Sequence, residues 1–110
     1  MSDKLRLGSL PEGVHELRRR IDALDRDLVR LLNERSRCAV EIGRLKGQAG
    51  LPIHDPERER EILHQIAQSS TGPLVAEALA RLFERILDES RRLERLTNAR
   101  QTGVGKKENG

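Results

Sequence analysis

Residues 14–48 read VHELRRRIDALDRDLVRLLNERSRCAVEIGRLKGQ, and the apolar members Leu17, Ile21, Leu24, Leu28 and Leu31 step by four and by three. That period puts them on one face of an α-helix, the seam of a helix that packs along its length on others. Gly47, Gly50 and Pro52 stop it. A helix of this length extends about 50 Å at 1.5 Å per residue, roughly twice the ~26 Å diameter of a 100-residue globule. It overhangs its own domain. The simplest cover for the seam is a homodimer in which two such helices cross or run side by side.

Working outward, residues 1–13 contain Gly8, Pro11 and Gly13 without apolar period and read as a leader. After the extended segment Gly50-Leu51-Pro52-Ile53-His54, Asp55 followed by Pro56 has the form of an N-cap with proline at the first helical position, and Glu57 and Glu59 favour the positive helix end. A second helix is expected over 56–68. Ser69, Ser70, Thr71, Gly72 and Pro73 break it, and a third helix is expected over 74–96, with Leu79, Leu82, Phe83, Ile86 and Leu87 as its stripe. Residues 97–110, which include Gly103, Gly105, Lys106 and Lys107, read as a disordered tail.

The domain is therefore 14–96, about 85 residues and near the low end for a self-sufficient core. With one Phe and no Trp or Tyr, its apolar content suits interdigitating helices, and the class is all-α. Lys and Arg number 21 against 18 Asp and Glu, a net charge of +3. Acids and bases alternate along the helices, which argues against a nucleic-acid binder. Cys38 is single, so no intrachain disulfide forms. His15, His54 and His64 share no metal-ligand spacing, and no apolar run has the length of a signal peptide or membrane span. A cytoplasmic protein without metal or cofactor is expected.

Charges interrupt the seams. Continuing the first seam past Leu31 lands on Arg35, then Cys38 and Ile42, then Leu45 beside Lys46. A guanidinium in an apolar position needs an internal carboxylate or an anionic ligand, unless it reaches out to solvent. Arg35 and Lys46 share a helical face and can converge on a small dianion. Arg18 is 17 residues before Arg35, ~25 Å along the axis, and can reach the same ligand only from a second subunit. In the third helix, Phe83, Ile86 and Leu87 run on to Ser90 and Glu94, while Arg58, Glu59 and Ile62 lie on adjoining faces of the second. Together these outline a polar pocket inside a helical bundle.

The stretch Leu17–Asp25, the pair Glu34-Arg35, the run Ala39–Lys46, the run Asp55–Glu61 and Asp88-Glu89-Ser90-Arg91 resemble the all-helical type of chorismate mutase, in order over residues 14–96. The resemblance implies a three-helix protomer intertwined as a homodimer and rearrangement of chorismate to prephenate on the route to phenylalanine and tyrosine. It also implies roles. Arg18 of the partner subunit and Arg35 would bind the two substrate carboxylates, with Arg58 and Ser90 completing those contacts. Lys46 would contact the ether oxygen whose bond breaks, with Glu94 facing it. Asp55, through its backbone, and Glu59 would hold the ring hydroxyl. Ile42, Ile62 and Leu87 would form apolar walls. The best-known bacterial pattern has glutamine at the position of Glu94, although glutamate also occurs in the family. An ionised carboxylate only accepts hydrogen bonds, so Glu94 serves the ether oxygen only when protonated. Two other readings stay open on the same residues: an isochorismate-pyruvate lyase, and a non-catalytic helical dimerisation module in which Arg35 and Lys46 pair with Glu59 and Glu94.

Overall fold

The computed structural model describes residues 10–109, with side chains described for 10–100. It holds three α-helices, α1 (Glu12–Ala49), α2 (Pro56–Ser69) and α3 (Ala76–Asn109), and no strand among the described residues. The chain divides into two compact units, Met1–Arg35 and Ser36–Gly110. No helix among the described residues is long and apolar enough to cross a membrane.

The first unit is made of the N-terminal turns of α1. Glu12 supplies a negative charge to the first turn, and the Val14 N–H donates to Pro11 O at 3.0 Å, so the helix starts two residues inside the expected leader. Residues 1–9, the rest of that leader, lie outside the described residues. No glycine or proline occurs between Val14 and Ile42, which leaves the hydrogen-bond ladder unbroken. The seam is bare: Leu17, Ile21, Leu24, Leu28 and Leu31 are all at least half exposed, Leu24 at 58%. On the polar faces Arg30 donates to Glu34 at 3.1 Å and approaches Asp27 at 4.0 Å. Such exposed pairs add at most a few tenths of a kcal/mol each. This unit has the apolar pattern of a packed helix and nothing of its own to pack against.

The second unit begins with the last turns of α1. Helix α1 ends in a Schellman motif: Gly50 is left-handed at φ 68°, the Leu51 N–H donates to Lys46 O at 2.9 Å and the Gly50 N–H to Gly47 O at 3.3 Å. Asp55 caps α2, its side chain accepting from the Arg58 N–H at 3.1 Å with Pro56 at the first helical position. After α2, Ser69 donates to Ile66 O at 2.8 Å and Ser70 to Leu74 O at 2.6 Å. Val75 O then accepts the Leu79 N–H at 3.1 Å and opens α3. Helix α3 therefore starts at Ala76, two residues after the expected Leu74.

Helix α3 also ends later than expected. In place of a tail from 97 it continues to Asn109, because no proline follows Pro73 and extending a formed helix adds one backbone bond per residue fixed. Residue 110 lies outside the described residues.

Helix α2 packs on α3. Within this unit α1 also approaches α3 closely. Gly43 is buried, and a Cβ placed on it would lie 2.8 Å from both Cα and O of Glu94. Ala39, one turn before it, and Leu87, two turns before Glu94, are each only 5% exposed. Small residues on α1 let the two backbones touch.

Gly43 and Gly50 resist substitution for different reasons. At Gly50 a methyl meets open space, so Gly50→Ala suffers only the left-handed conformation, about 1–2 kcal/mol. At Gly43 alanine gains up to ~1 kcal/mol of helix propensity but clashes with backbone that cannot rotate away, a loss of about 1–3 kcal/mol or more. Urea unfolding is expected to show both variants destabilised, Gly43→Ala in spite of its helix-favouring residue. A Gly43→Ala variant as stable as the parent would contradict the backbone contact.

Candidate active site

Lys46 is the last basic residue of α1, four residues before the left-handed Gly50. Because the Schellman turn folds the chain back at that point, residue 53 returns over the helix end and Lys46 Nζ donates to Ile53 O at 3.1 Å. The same ammonium lies 3.8 Å from Glu94 Oε1, with the two side chains 23% and 12% exposed. At that separation the pair is ionic and longer than a hydrogen bond. An ammonium carries three donors, and Ile53 engages one. What remains is a fixed, largely desolvated cation with donors to offer an electron-rich oxygen, next to a carboxyl group.

Glu94 owes its position to the Gly43 contact. Its backbone rests on α1, and Lys46 stands three residues, nearly one turn, beyond Gly43.

Across the α2–α3 interface Glu59 Oε2 lies 2.7 Å from Arg91 Nε, with the side chains 22% and 28% exposed. Arg91 Nε is buried and its N–H direction departs from that of a hydrogen bond, so the contact is carried by charge. The Nη2 of Arg91 also pairs with Asp88, one turn earlier on α3. One half-buried guanidinium thus sits between two carboxylates of different helices.

The remaining residues singled out from the sequence are distributed as follows. The carboxylate of Asp55 is occupied as the α2 cap, and its carbonyl accepts the Glu59 N–H at 3.1 Å. Arg58 turns along α2 to Glu61 at 2.6 Å on an exposed face. Ser90 donates to Ile86 O at 3.0 Å, the back-bond common for a helical serine. Leu87 is buried, Ile62 half-buried and Ile42 exposed. Arg18, exposed, and Arg35, half-buried, belong to the first unit. On the outer face of α1 Arg44 donates Nε to Glu41 at 3.0 Å, and this hydrogen bond holds the Glu41 carboxyl below its usual range. Open to solvent, that pair adds little.

Lys46, Glu94, Asp55, Glu59 and Ser90 are therefore parts of one unit, with Lys46 and Glu94 in direct ionic contact. Three features of the site carry no role in the sequence reading: Arg91, the Ile53 carbonyl and Gly43. Arg91 has a detectable signal. It lies four residues after the buried Leu87 and three before Glu94, a charge on the packed face of α3 of the same kind as Arg35 on α1.

Residues 17–95 match the family described as chorismate mutase type II. A bifunctional chorismate mutase/prephenate dehydratase of Aquifex aeolicus is 42% identical over 88 residues, 76% of this chain and 24% of that protein. The chain thus spans about a quarter of the length of such bifunctional relatives. The structure of chorismate mutase (form II) from Thermus thermophilus is similar at a TM-score of 0.75 and 40% identity, covering 76% of this chain and 96% of that one. Chorismate mutase from Helicobacter pylori, solved in complex with prephenate, is similar at a TM-score of 0.72 and 32% identity, covering 79% and 94%. With its three helices, its Lys46–Glu94 pair and these likenesses, the chain belongs to the chorismate mutase type II family.

Proposed function

We propose that this protein rearranges chorismate to prephenate, the step leading toward phenylalanine and tyrosine, and that it does so as a homodimer. The observation that carries the reading is the desolvated Lys46 ammonium, tied to Ile53 O at 3.1 Å and 3.8 Å from Glu94.

The reaction has one substrate. Its C–O ether bond breaks as a C–C bond forms within the same molecule, and no proton, nucleophile or cofactor enters. A protein accelerates such a step by holding the folded conformer and by stabilising charge that grows in the transition state. Negative charge grows on the ether oxygen, where Lys46 acts as a preorganised donor that needs no rearrangement when the charge appears. Glu94 serves the same oxygen from the other side in its protonated form. Asp55 offers its backbone N–H to the ring hydroxyl, a role supported by the commitment of its carboxylate to the helix cap, and Glu59 accepts a hydrogen bond from that hydroxyl. Arg35, with Arg58 and Ser90, meets one carboxylate and Arg18 of the second subunit the other. Ile42, Ile62 and Leu87 form the apolar wall.

The dimer reading rests on the bare seam. Each Leu or Ile taken from about half exposure into a dry interface gains roughly 1 kcal/mol, and five such residues in one stripe are far more than a solvated helix face carries.

Loss of the cation is expected to cost about two orders of magnitude in kcat or more, the scale of a single oxyanion donor; the disappearance of chorismate catalysed by purified Lys46→Ala, against the parent, measures it. An undiminished rate would remove Lys46 from the mechanism.

The active form of Glu94 is the protonated one, so kcat/KM is expected to rise as pH falls below neutrality. Glu94→Gln donates at every pH and flattens the profile. A pH profile unchanged by that substitution overturns this role.

The trans contribution of Arg18 is open to complementation. Arg18→Ala and Lys46→Ala homodimers are each expected to be nearly inactive. After co-refolding, the heterodimer contains one site with both residues intact, so activity reappears. If Arg18 acts within its own subunit, every site of the mixture stays defective and nothing is restored.

A further inference from the structure

We propose that Arg91 is a positioning residue that holds Glu59 by one carboxylate oxygen so that the other accepts the ring hydroxyl of the substrate. The inference deepens the mutase reading and rests on it.

Three observations lead there. First, Arg91 joins elements that nothing else on that side joins by charge among the described residues: Glu59 Oε2 of α2 lies 2.7 Å from Nε, and Asp88 of α3 takes Nη2. A guanidinium is rigid and planar, so anchoring Nη2 on Asp88 also fixes where its positive charge stands beside Glu59. Second, the Glu59 carboxylate is held through Oε2. Oε1 is the oxygen left to accept a donor, and a hydroxyl is a donor of the right kind. Third, Glu59 and Arg91 are each between a fifth and a third exposed. At that depth a flexible Glu side chain would lose rotamer freedom on meeting substrate, and a partner that immobilises it beforehand removes that cost from the binding step. Arg91 is itself three residues before Glu94, so one face of α3 carries both the group opposite Lys46 and the group that orients Glu59.

A purely structural Arg91 would instead fasten α2 to α3 without regard to the substrate's hydroxyl. The two roles separate when the hydroxyl is taken away. The experiment measures kcat/KM of the full chain, as parent, Arg91→Met, Glu59→Gln and the double variant, with chorismate and with a chorismate analogue whose ring hydroxyl is replaced by hydrogen. Positioning predicts a loss of roughly tenfold or more for Arg91→Met on chorismate, the scale of one hydrogen bond to a charged group. It predicts almost none on the analogue, and a double variant no worse than Glu59→Gln alone. Equal losses on both substrates, or additive losses in the double variant, overturn the proposal. That outcome also covers an Arg91 that touches a substrate carboxylate directly.

Should Arg91→Met fail to fold, Asp88→Asn keeps both helices' apolar contacts and loosens only the rear anchor of Arg91. It is expected to give a smaller loss with the same dependence on the hydroxyl, and a loss independent of the hydroxyl overturns the proposal as before. An inactive parent protein would show that the mutase reading has failed. An active parent with hydroxyl-independent losses would show that only the role of Arg91 has.

Discussion

At Gly43 the backbone of α1 lies against the backbone of α3, so near that a single methyl there would sit 2.8 Å from Glu94 Cα. The ionic contact between Lys46 and Glu94 depends on this approach. Lys46 is nearly one turn further along α1 and meets the Glu94 carboxyl at 3.8 Å. A side chain at position 43 would move α3 outward by tenths of an ångström, and Lys46 and Glu94 would part by the same amount. The Schellman turn at Gly50 complements the contact from the other direction, since it folds residue 53 back to hold the Lys46 ammonium by its carbonyl. Two glycines, one for closeness and one for chirality, thus set the position of one cation.

Desolvating a lysine and a glutamate is costly, and the attraction between them offsets that cost only where the geometry is good. At 3.8 Å the Lys46–Glu94 contact lacks the short, aligned geometry that would make it a strong stabiliser. A fold under selection for stability alone would be served as well by two apolar residues of similar volume. The pair makes more sense as a site held ready for a third group than as a fastening, and the same reasoning applies to the guanidinium of Arg91 between Glu59 and Asp88.

The elements are legible in the sequence because their signals are local. The steps from Leu17 to Leu31 mark α1, Asp55-Pro56 marks the start of α2 to the residue, and the Gly72-Pro73 break separates α2 from α3. The end of α3 is not legible in the same way, because glycines at 103 and 105 only weaken a helix whereas a proline would end it. Within the site, Lys46 and Glu94 are reachable from the family pattern, but their 3.8 Å contact is not, since it follows from a backbone approach between residues 51 apart in the chain. The Ile53 carbonyl carries no side-chain signature at all. Arg91 escapes a reading that follows the stripe of α3 from Leu87 to Ser90 and then to Glu94, a path that steps around the charge on the same packed face.

The charges of the second unit explain why the proposed substrate needs help from elsewhere. Among the described residues of this unit, Lys46 and Arg91 are cations set against α3 or between α2 and α3, and the carboxylates of Glu59, Asp88 and Glu94 face them. Arg58 is turned away to Glu61 on the surface. A dianion approaching such a cluster meets slightly more negative than positive charge, which in a medium of low dielectric is repulsive over several ångströms. Under the proposed function two changes reverse the balance. One is the arrival of the further guanidinium groups that the proposed function assigns to the substrate carboxylates, Arg58 among them. The other is a proton on Glu94, which removes a negative charge and supplies a donor for the ether oxygen in the same event. Under the proposed function, dimerisation and protonation of Glu94 act on one quantity, the potential felt by the substrate. An exposed leucine seam and a glutamate opposite Lys46 therefore belong to the same electrostatic problem.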